Sequence, residues 1–243
     1  MRTYAIGDIH GYSSELDRAH RLIAKDRARA GDDGAPVVHI GDLCDRGPDT
    51  RGVIDRLLAG MSSGEPWIVL KGNHDRMMEL FLRESETRDH RLRPQLEWLH
   101  PNLGGSETLA SYGVDTSLPA VELHRDARAK VPEAHRAFIA DLPLQYERGA
   151  CFFAHAGIHP DVPLDRQDED DLVWIREPFL SDTRDHGKLI VHGHTAIDAA
   201  THYGNRLNID SRAGYGEPIS AVVLEGRDAW LLTEDGRETL PHV

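Results

Sequence analysis

Apolar runs and amphipathic stretches alternate along the first 82 residues of the chain. Three times an apolar run ends in a glycine-led polar turn, and a stretch with helical periodicity follows. The runs are RTYAIGD (2–8), PVVHIGD (36–42) and PWIVLKGN (66–73). Short continuous apolar runs between helices are typical of strands that are buried on both faces of an α/β sheet. The pattern therefore predicts an α/β fold.

Helical periodicity follows each of these runs. One apolar face is predicted over Ser13–Ala30, a second over Asp49–Gly60 and a third over Asp75–Arg83. In sheets of this kind, ligands bind in the crevice at the carboxyl ends of the strands. We therefore expect the functional residues in the turns that link each strand to its helix.

The segment 84–146 lacks the strand rhythm and is charged and mostly helical. Helices are predicted over 104–113 and 123–141. A block of this kind commonly covers an α/β core as a cap or groove wall. Because no linker separates it from the rest, we expect one domain over residues 1–243.

Strand-like runs resume after residue 146. They cover 150–157, 188–195, 206–210 and 219–233, and the last is predicted to be a hairpin with Glu225-Gly226 in its turn. The acidic run 165–171 between them is interpreted as a solvated loop.

Composition narrows the classes of protein. The chain is 40% hydrophobic and 28% charged, as is ordinary for a soluble globular protein. No apolar run approaches the roughly 20 residues that span a bilayer, and Asp8 interrupts the start before a signal-peptide core forms. We therefore expect a cytoplasmic protein with no membrane partner. A net charge of −13 argues against nucleic acid bound through a broad basic face.

The two cysteines, Cys44 and Cys151, form no disulfide framework. Cys44 lies in a loop rich in candidate ligands. A small residue that fills space beside a strand end is the favoured interpretation, with a redox-sensitive thiol as the alternative.

Candidate ligands and catalytic groups collect at the carboxyl ends of the predicted strands. They are Asp8, His10, Asp42, Asp45, Arg46, Asn73, His74, His155, His192 and His194. Each motif alone has a structural explanation, such as a solvated turn or a helix N-cap. Together, oxygen and imidazole groups without thiolates suit Mn²⁺, Fe or Zn²⁺. Their number favours two divalent ions that share a carboxylate, an arrangement that activates water for attack on a phosphoryl group.

Five motifs carry a resemblance to a known family. GDIHG, GDLCDRG, GNHD, HAG and GHT occur in the order found in calcineurin-like metallophosphoesterases. GDLCDRG with GNHD resembles the phosphoprotein phosphatase branch, notably the bacterial and phage lambda-type serine/threonine phosphatases. Symmetrical diadenosine tetraphosphate hydrolases are similar too. The resemblance runs from Tyr4 to about Leu224. It implies an αββα sandwich of two mixed β-sheets flanked by helices, with a helical cap.

The resemblance also implies a ligand set for two ions, with Mn²⁺ the first expectation. One ion is implied to bind Asp8, His10 and Asp42. The second is implied to bind Asp42, Asn73, His155 and His194, so that Asp42 bridges the pair. His192 would lie behind these ligands.

The catalytic roles follow from phosphoester chemistry and match the family pattern. A hydroxide between the two ions is expected to attack phosphorus. His74 is expected to protonate the leaving group, with Asp45 fixing its imidazole. Arg46 and Arg176 are expected to bind the phosphoryl group, together with Asn73.

Three positions depart from the family pattern or have no assigned role. Asp75 stands where the phosphatase branch usually has glutamate. Arg212 stands where the family usually has glycine, and it either binds substrate or faces solvent. Tyr215 is expected near the site.

Three functions remain open at this point. The first is a serine/threonine protein phosphatase acting on phosphomonoesters, and the second is a hydrolase of diadenosine tetraphosphate or other dinucleoside polyphosphates. The two share every metal ligand, so the motifs do not separate them. We prefer the protein phosphatase, because the chain is compact and shows no additional nucleotide-binding element. The third is an inactive phospho-binding scaffold, which the complete set of ligands disfavours.

Overall fold

Two mixed β-sheets form the centre of the molecule in the computed structural model, which describes residues 1–32, 34–83 and 87–243. The strands are β1 (Arg2–Ile6), β2 (Val37–His39), β3 (Trp67–Val69), β4 (Gln145–Arg148), β5 (Cys151–Ala154), β6 (Leu189–His192), β7 (Thr201–His202), β8 (Arg206–Asn208), β9 (Ala221–Glu225), β10 (Asp228–Leu232) and β11 (Arg237–Thr239). The helices are α1 (Ser13–Ala30), α2 (Thr50–Ser62), α3 (Asn73–Arg83), α4 (Gly105–Ser111), α5 (Ala120–Lys130), α6 (Glu133–Ala140) and α7 (Glu169–Trp174).

Each sheet combines parallel and antiparallel pairs. The first has the order β11-β10-β9-β1-β2-β3, in which β1, β2 and β3 are parallel. The second has the order β4-β5-β6-β8-β7, in which β5, β6 and β8 are parallel. The carboxyl ends of parallel strands share one edge of a sheet, so the turns after β1, β2 and β3 lie side by side.

The main interior lies between the two sheets. Ala5 and Val38 of the first sheet belong to the same buried cluster as Phe153, Val191 and Leu207 of the second. A second cluster joins the other face of the first sheet to α1 and α2, and a third joins the second sheet to α7. These layers form the predicted αββα sandwich.

The predicted helix over 123–141 is wrong in one respect, because the structure has two helices there. Val131 is extended, with φ −75° and ψ 116°, and Pro132 follows it. Proline disfavours helical geometry in the residue before it and has no N–H to donate, so α5 ends and α6 begins at this point.

The interpretation of 165–171 as a solvated loop is also corrected, because α7 begins at Glu169. Asp170 of this helix pairs with the buried Arg76 at 2.7 Å. Within the described ranges, no helix is long and apolar enough to cross a membrane. The predicted groove wall 84–146 includes residues 84–86, which lie outside the described residues.

Candidate functional site

The backbone at the strand ends adopts a conformation that is uncommon for residues other than glycine. Among the described residues, the non-glycine residues with positive φ are His10, Asp42, Asp45, Arg46, His194 and Arg212. Five of these six positions are candidate ligands or catalytic groups. Concentrated left-handed backbone is characteristic of functional sites, where the surrounding structure imposes it.

Asp42 lies between two imidazoles. Oδ2 of Asp42 is 3.5 Å from Nε2 of His10, and Oδ1 is 3.3 Å from Nε2 of His155. The backbone N–H of His74 also donates to Oδ1, at 3.0 Å. Each oxygen of this carboxylate therefore faces a different group of side chains.

The orientations of His10 and His155 are fixed by backbone carbonyls. Nδ1 of His10 donates to the carbonyl of Cys44 at 3.0 Å, and Nδ1 of His155 donates to the carbonyl of Ile40 at 2.9 Å. With the proton on Nδ1, each Nε2 presents a lone pair to the centre of the site. Metal-binding histidines are commonly oriented in this way.

Asn73, the first residue of α3, contacts the histidines that follow β5 and β6. Its Oδ1 lies 3.0 Å from Nε2 of His155 and 2.7 Å from Nδ1 of His194. Nε2 of His194 is buried and has no hydrogen-bond partner in the described part of the chain.

Two triplets of side chains bring potential ligand atoms within 4.8 Å of one another. They are His10, Asp42, His74 and Asp42, His155, His194. Asp42 is common to both triplets. Because the converging atoms are imidazole nitrogens and carboxylate oxygens with no thiolate, this donor set fits hard or intermediate divalent cations.

Asp8 lies at the edge of this arrangement, outside both triplets. Its Oδ2 accepts a hydrogen bond from the backbone N–H of His194 at 3.1 Å. Burial raises the pKa of Asp8 well above its ordinary value, and the negative charges of Asp210 and Asp42 raise it further. A cation beside Asp8 would offset both effects, so this carboxylate also fits a metal ligand.

The pKa of Asp42 shifts in the opposite direction. Burial alone would raise it, but the histidines around the carboxylate, above all His155 and His74, hold the pKa of Asp42 below its usual range. Asp42 is therefore ionised and available to a cation.

Two glycines allow other strands to approach the carboxylates closely. A Cβ on Gly72 would lie 2.2 Å from Oδ1 of Asp42, and a Cβ on Gly193 would lie 2.0 Å from Oδ1 of Asp8. Any larger residue at either position would displace a candidate ligand.

His74 and Asp45 form a hydrogen-bonded pair. Nδ1 of His74 lies 2.6 Å from Oδ2 of Asp45, and both side chains are buried. Two residues of the helical segment hold the carboxylate: Nε1 of Trp98 donates to Oδ2 at 2.8 Å, and the Thr108 hydroxyl donates to Oδ1 at 2.7 Å. The sequence analysis missed Trp98 and Thr108, because no motif marks them.

The guanidinium group of Arg46 contacts two imidazoles of the site, those of His10 and His74. Its Nη1 is 3.0 Å from Nε2 of His10, and its Nη2 is 3.2 Å from Nε2 of His74. A Cβ on Gly104 would lie 2.2 Å from the backbone nitrogen of Arg46, and one on Gly214 would lie 2.5 Å from Nη1. The helical segment and the loop after β8 therefore fix this arginine from two sides.

Comparison with known proteins decides the family. A family model described as calcineurin-like phosphoesterase matches residues 1–223. The chain belongs to the calcineurin-like phosphoesterases. It is accordingly a hydrolase of a family that uses a dinuclear metal site, and its two overlapping triplets are clusters that could bind metal.

Curated relatives of this calcineurin-like phosphoesterase match over most of their length. The asymmetrical bis(5'-nucleosyl)-tetraphosphatase PrpE of Anoxybacillus flavithermus is 24% identical over 260 residues, which cover 98% of this chain and 95% of the relative. The PrpE of Geobacillus thermodenitrificans is 26% identical over 262 residues, with 100% and 97% covered. That of Bacillus subtilis is 24% identical over 235 residues, with 88% and 87% covered.

Solved structures show the same fold. A structure named as a candidate diadenosine tetraphosphatase superposes with a TM-score of 0.66 at 23% identity, covering 95% of this chain and 92% of that one. A cold-active protein tyrosine phosphatase superposes with a TM-score of 0.61 at 16% identity, covering 98% of this chain and 78% of that one.

Arg176 and His192 of this phosphoesterase occupy different surroundings. Arg176 is an exposed residue two positions after α7. Desolvation lowers the pKa of its guanidinium, and the negative charge of Asp42 opposes that shift. His192 is buried behind the site, where its Nε2 contacts Nη1 of Arg206 at 3.3 Å. Burial lowers the pKa of His192 to about 3, so it is neutral.

Tyr215 and Arg212 lie on the loop after β8, beside Arg46. The guanidinium carbon of Arg46 is 5.2 Å from the centroid of the Tyr215 ring, and that of Arg212 is 5.5 Å from it. Nη1 of Arg212 pairs with Oδ1 of Asp198 at 3.1 Å, on the surface.

Asp210 is a site residue that the sequence analysis missed. Burial and the negative charge of Asp42 raise the pKa of Asp210 to about 6, and Asp210 in turn raises the pKa of Asp8. A signal for it was present, since Asp210 follows β8 closely, as Asp8 follows β1.

Cys44 and Asp75 are linked to each other. The Cys44 thiol is buried and hydrogen-bonds with Asp75, and burial raises the thiol pKa well above its ordinary value. Asp75 accepts the backbone N–H groups of Leu43 and Gly72 at 2.9 and 2.8 Å. These contacts support the interpretation of Cys44 as a space-filling residue.

Proposed function

We propose that this phosphoesterase hydrolyses dinucleoside tetraphosphates at a dinuclear metal centre. The observation that carries the proposal is the name shared by three relatives, asymmetrical bis(5'-nucleosyl)-tetraphosphatase, at 24–26% identity over 88–100% of this chain. The serine/threonine protein phosphatase that the sequence analysis prefers has less support than this alternative.

The proposed ligands divide into two sets that share one carboxylate. One ion is assigned to Asp8, His10 and Asp42. The other is assigned to Asp42, Asn73, His155 and His194. The opposed contacts of Asp42, with His10 on Oδ2 and His155 on Oδ1, support a bridging role. When bound, such ions neutralise phosphate oxygens and make water nucleophilic at neutral pH; Mn²⁺ is the first expectation, with Fe and Zn²⁺ as alternatives.

His74 is proposed as the general acid. Asp45 accepts from Nδ1 of His74, so the other ring nitrogen, Nε2, is the one that faces the bound phosphoryl group and delivers the proton. Arg46 contacts this same nitrogen at 3.2 Å. A phosphoryl group held by Arg46 therefore presents its leaving oxygen to His74.

The phosphoryl group is proposed to be bound by two arginines and an amide. Arg46 contacts His10 and His74, and Arg176 is proposed to reach the phosphoryl group from the segment after α7. The planar guanidinium groups suit the bidentate recognition of phosphate oxygens. Asn73 completes this set beside His155 and His194.

A second candidate is the hydrolysis of phosphomonoesters, with phosphoserine or phosphothreonine in proteins as substrates. The pair of His74 and Asp45 favours it, because an alkoxide leaving group needs a proton more than a phosphate leaving group does. The likeness to a protein tyrosine phosphatase is one of fold. A phospho-binding scaffold without activity has less support, since every proposed ligand and His74 are present.

The test is a substrate comparison at one metal loading. Diadenosine tetraphosphate and a phosphoserine peptide are incubated separately with the purified Mn²⁺-loaded protein, and products are separated by chromatography. The proposal expects adenosine triphosphate and monophosphate as products, at a higher kcat/KM than the peptide. Hydrolysis of the peptide without cleavage of diadenosine tetraphosphate would favour the second candidate. Turnover of either substrate after complete chelation of the metal would contradict the metal centre.

A further inference from the structure

An exposed aromatic ring lies between arginines at the edge of the site. Tyr215 is 63% exposed and is the only aromatic residue among the exposed large hydrophobic residues of the described ranges. The guanidinium groups of Arg46 and Arg212 lie over its ring, at 5.2 and 5.5 Å from the centroid.

The backbone at Arg212 is held in a conformation that glycine adopts more readily. Its φ is 68°, in the left-handed region, and its N–H donates to Oδ1 of Asp210 at 3.0 Å. The resemblance to the family leads us to expect glycine here. An arginine therefore occupies this position despite its backbone preference, and Asp210 fixes it relative to the candidate metal ligands.

The side chain of Arg212 is available to a ligand. Its partner, Asp198, is an exposed carboxylate, with relative side-chain exposures of 46% for the arginine and 95% for the aspartate. Exposed pairs of this kind are weak, so a phosphate could replace Asp198 with little loss. In a chain with a net charge of −13, two arginines over one ring form a local site for an anion.

We propose that Arg212 and Tyr215 form a second phosphate subsite, which binds the phosphates of a polyphosphate substrate beyond the one that is attacked. The inference rests on the proposed function, because only a substrate with several phosphates reaches both subsites. Arg212 offers a planar donor pair to phosphate oxygens, while the ring of Tyr215 holds Arg46 and Arg212 on a common support by cation–π contacts.

The test measures inhibition of p-nitrophenyl phosphate hydrolysis by inorganic triphosphate and by orthophosphate, with free Mn²⁺ held constant and in excess. Arg212→Gly removes the side chain and suits the left-handed backbone, so the fold is retained. We expect the inhibition constant of triphosphate to rise roughly tenfold to hundredfold, because a charge-assisted contact is lost, while that of orthophosphate rises about threefold at most.

Arg227→Gly is the matched control. Arg227 is an exposed arginine paired with Asp185, in the turn after β9, at the opposite edge of the sheet from the site. Its replacement should leave both inhibition constants at the values of the unaltered protein. Arg212→Lys should retain part of the triphosphate affinity, since it keeps the charge but not the planar donor pair.

The outcomes separate this inference from the proposed function. An unchanged ratio of the two inhibition constants in Arg212→Gly would overturn the subsite, even if diadenosine tetraphosphate is cleaved. A selective loss of triphosphate affinity would support the subsite, even if the dinucleotide is not cleaved. Equal loss for both inhibitors would mean that the loop had shifted and would also overturn it.

Discussion

The indole N–H of Trp98 donates a hydrogen bond of 2.8 Å to the Oδ2 atom of Asp45. The same oxygen lies 2.6 Å from Nδ1 of His74. A residue of the helical segment therefore contacts the proposed general acid through one carboxylate. This contact places the segment, which carries few motifs, inside the proposed catalytic machinery.

Trp98→Phe should lower kcat roughly tenfold with little change in KM, since the loss of such an orienting contact commonly costs about 10–100-fold. Phenylalanine keeps an aromatic ring at this position, so the packing against Phe81 should persist. Steady-state kinetics on an alkyl phosphate, whose leaving group needs the proton, provide the measurement. Trp230→Phe, in β10, is the control and should have no effect. Equal kinetics for the two variants would show that Asp45 does not need Trp98.

His74→Asn should have an effect that depends on the leaving group. Positioned acid groups contribute roughly 10²–10⁴-fold, and most when the leaving group is strongly basic. We expect a large loss of kcat on an alkyl phosphate and a much smaller loss on a dinucleoside tetraphosphate, whose leaving group is itself a phosphate. His242→Asn, at the exposed carboxyl-terminal end, is the control. The same loss on both substrates would argue against a role in proton delivery.

Asp42→Asn and Asn73→Ala should differ in the number of metal ions that they retain. A shared carboxylate contributes to both sites, so its loss should weaken the binding of both ions. Removing Asn73 should weaken only the ion near His155 and His194. Elemental analysis after dialysis against about 10 µM Mn²⁺ measures the ratio of metal to protein. Loss of a single ion in Asp42→Asn would contradict the bridging role.

Arg76→Met should destabilise the protein by about 3–5 kcal/mol, because it leaves buried carboxylate charge without its partner. Arg76 is buried and binds both oxygens of Asp89, at 2.7 and 2.9 Å. Arg184→Met is the control: that arginine is exposed, so its ion pairs should contribute little to stability. Urea unfolding gives both values. Similar midpoints for the two variants would mean that the buried pair adds no stability.

Stability should fall as the pH decreases from about 7 to about 5, in part because of His39. This residue is buried in β2, where desolvation lowers its pKa to about 4. The unfolded chain, with an ordinary histidine pKa of about 6.5, binds the proton first, so acid favours unfolding by about 2 kcal/mol over this interval. His39→Val should show a shallower dependence of unfolding free energy on pH. A slope equal to that of the unaltered protein would exclude His39 as a contributor.

The strand ends of the site could be predicted from the sequence because each ligand lies within a few residues of a buried apolar run. Asp8 lies two residues after β1 and Asp42 lies three residues after β2, and parallel strands bring such turns together. The predicted boundaries of α1 agree with the structure, since apolar periodicity alone defines that helix.

The remainder depends on contacts between distant parts of the chain, which no local pattern encodes. Trp98 and Thr108 meet Asp45 across more than 50 residues of sequence. Asp170, in a run that looked solvated, meets Arg76 across 94 residues. A charged residue usually lies in solvent unless a buried partner of opposite charge is available. Such a partner can be identified only in the folded structure.

Gly72 and Gly193 have no side chain that could bind a metal or substrate. Each nevertheless leaves room for a carboxylate, and a methyl group would fill that room. The dimensions of the centre are thus set partly by two residues that do no chemistry. A library of all substitutions at these positions, selected for turnover, should return glycine alone. The tolerance of this enzyme to mutation is therefore limited by the close packing at these two glycines as strictly as by its reactive groups.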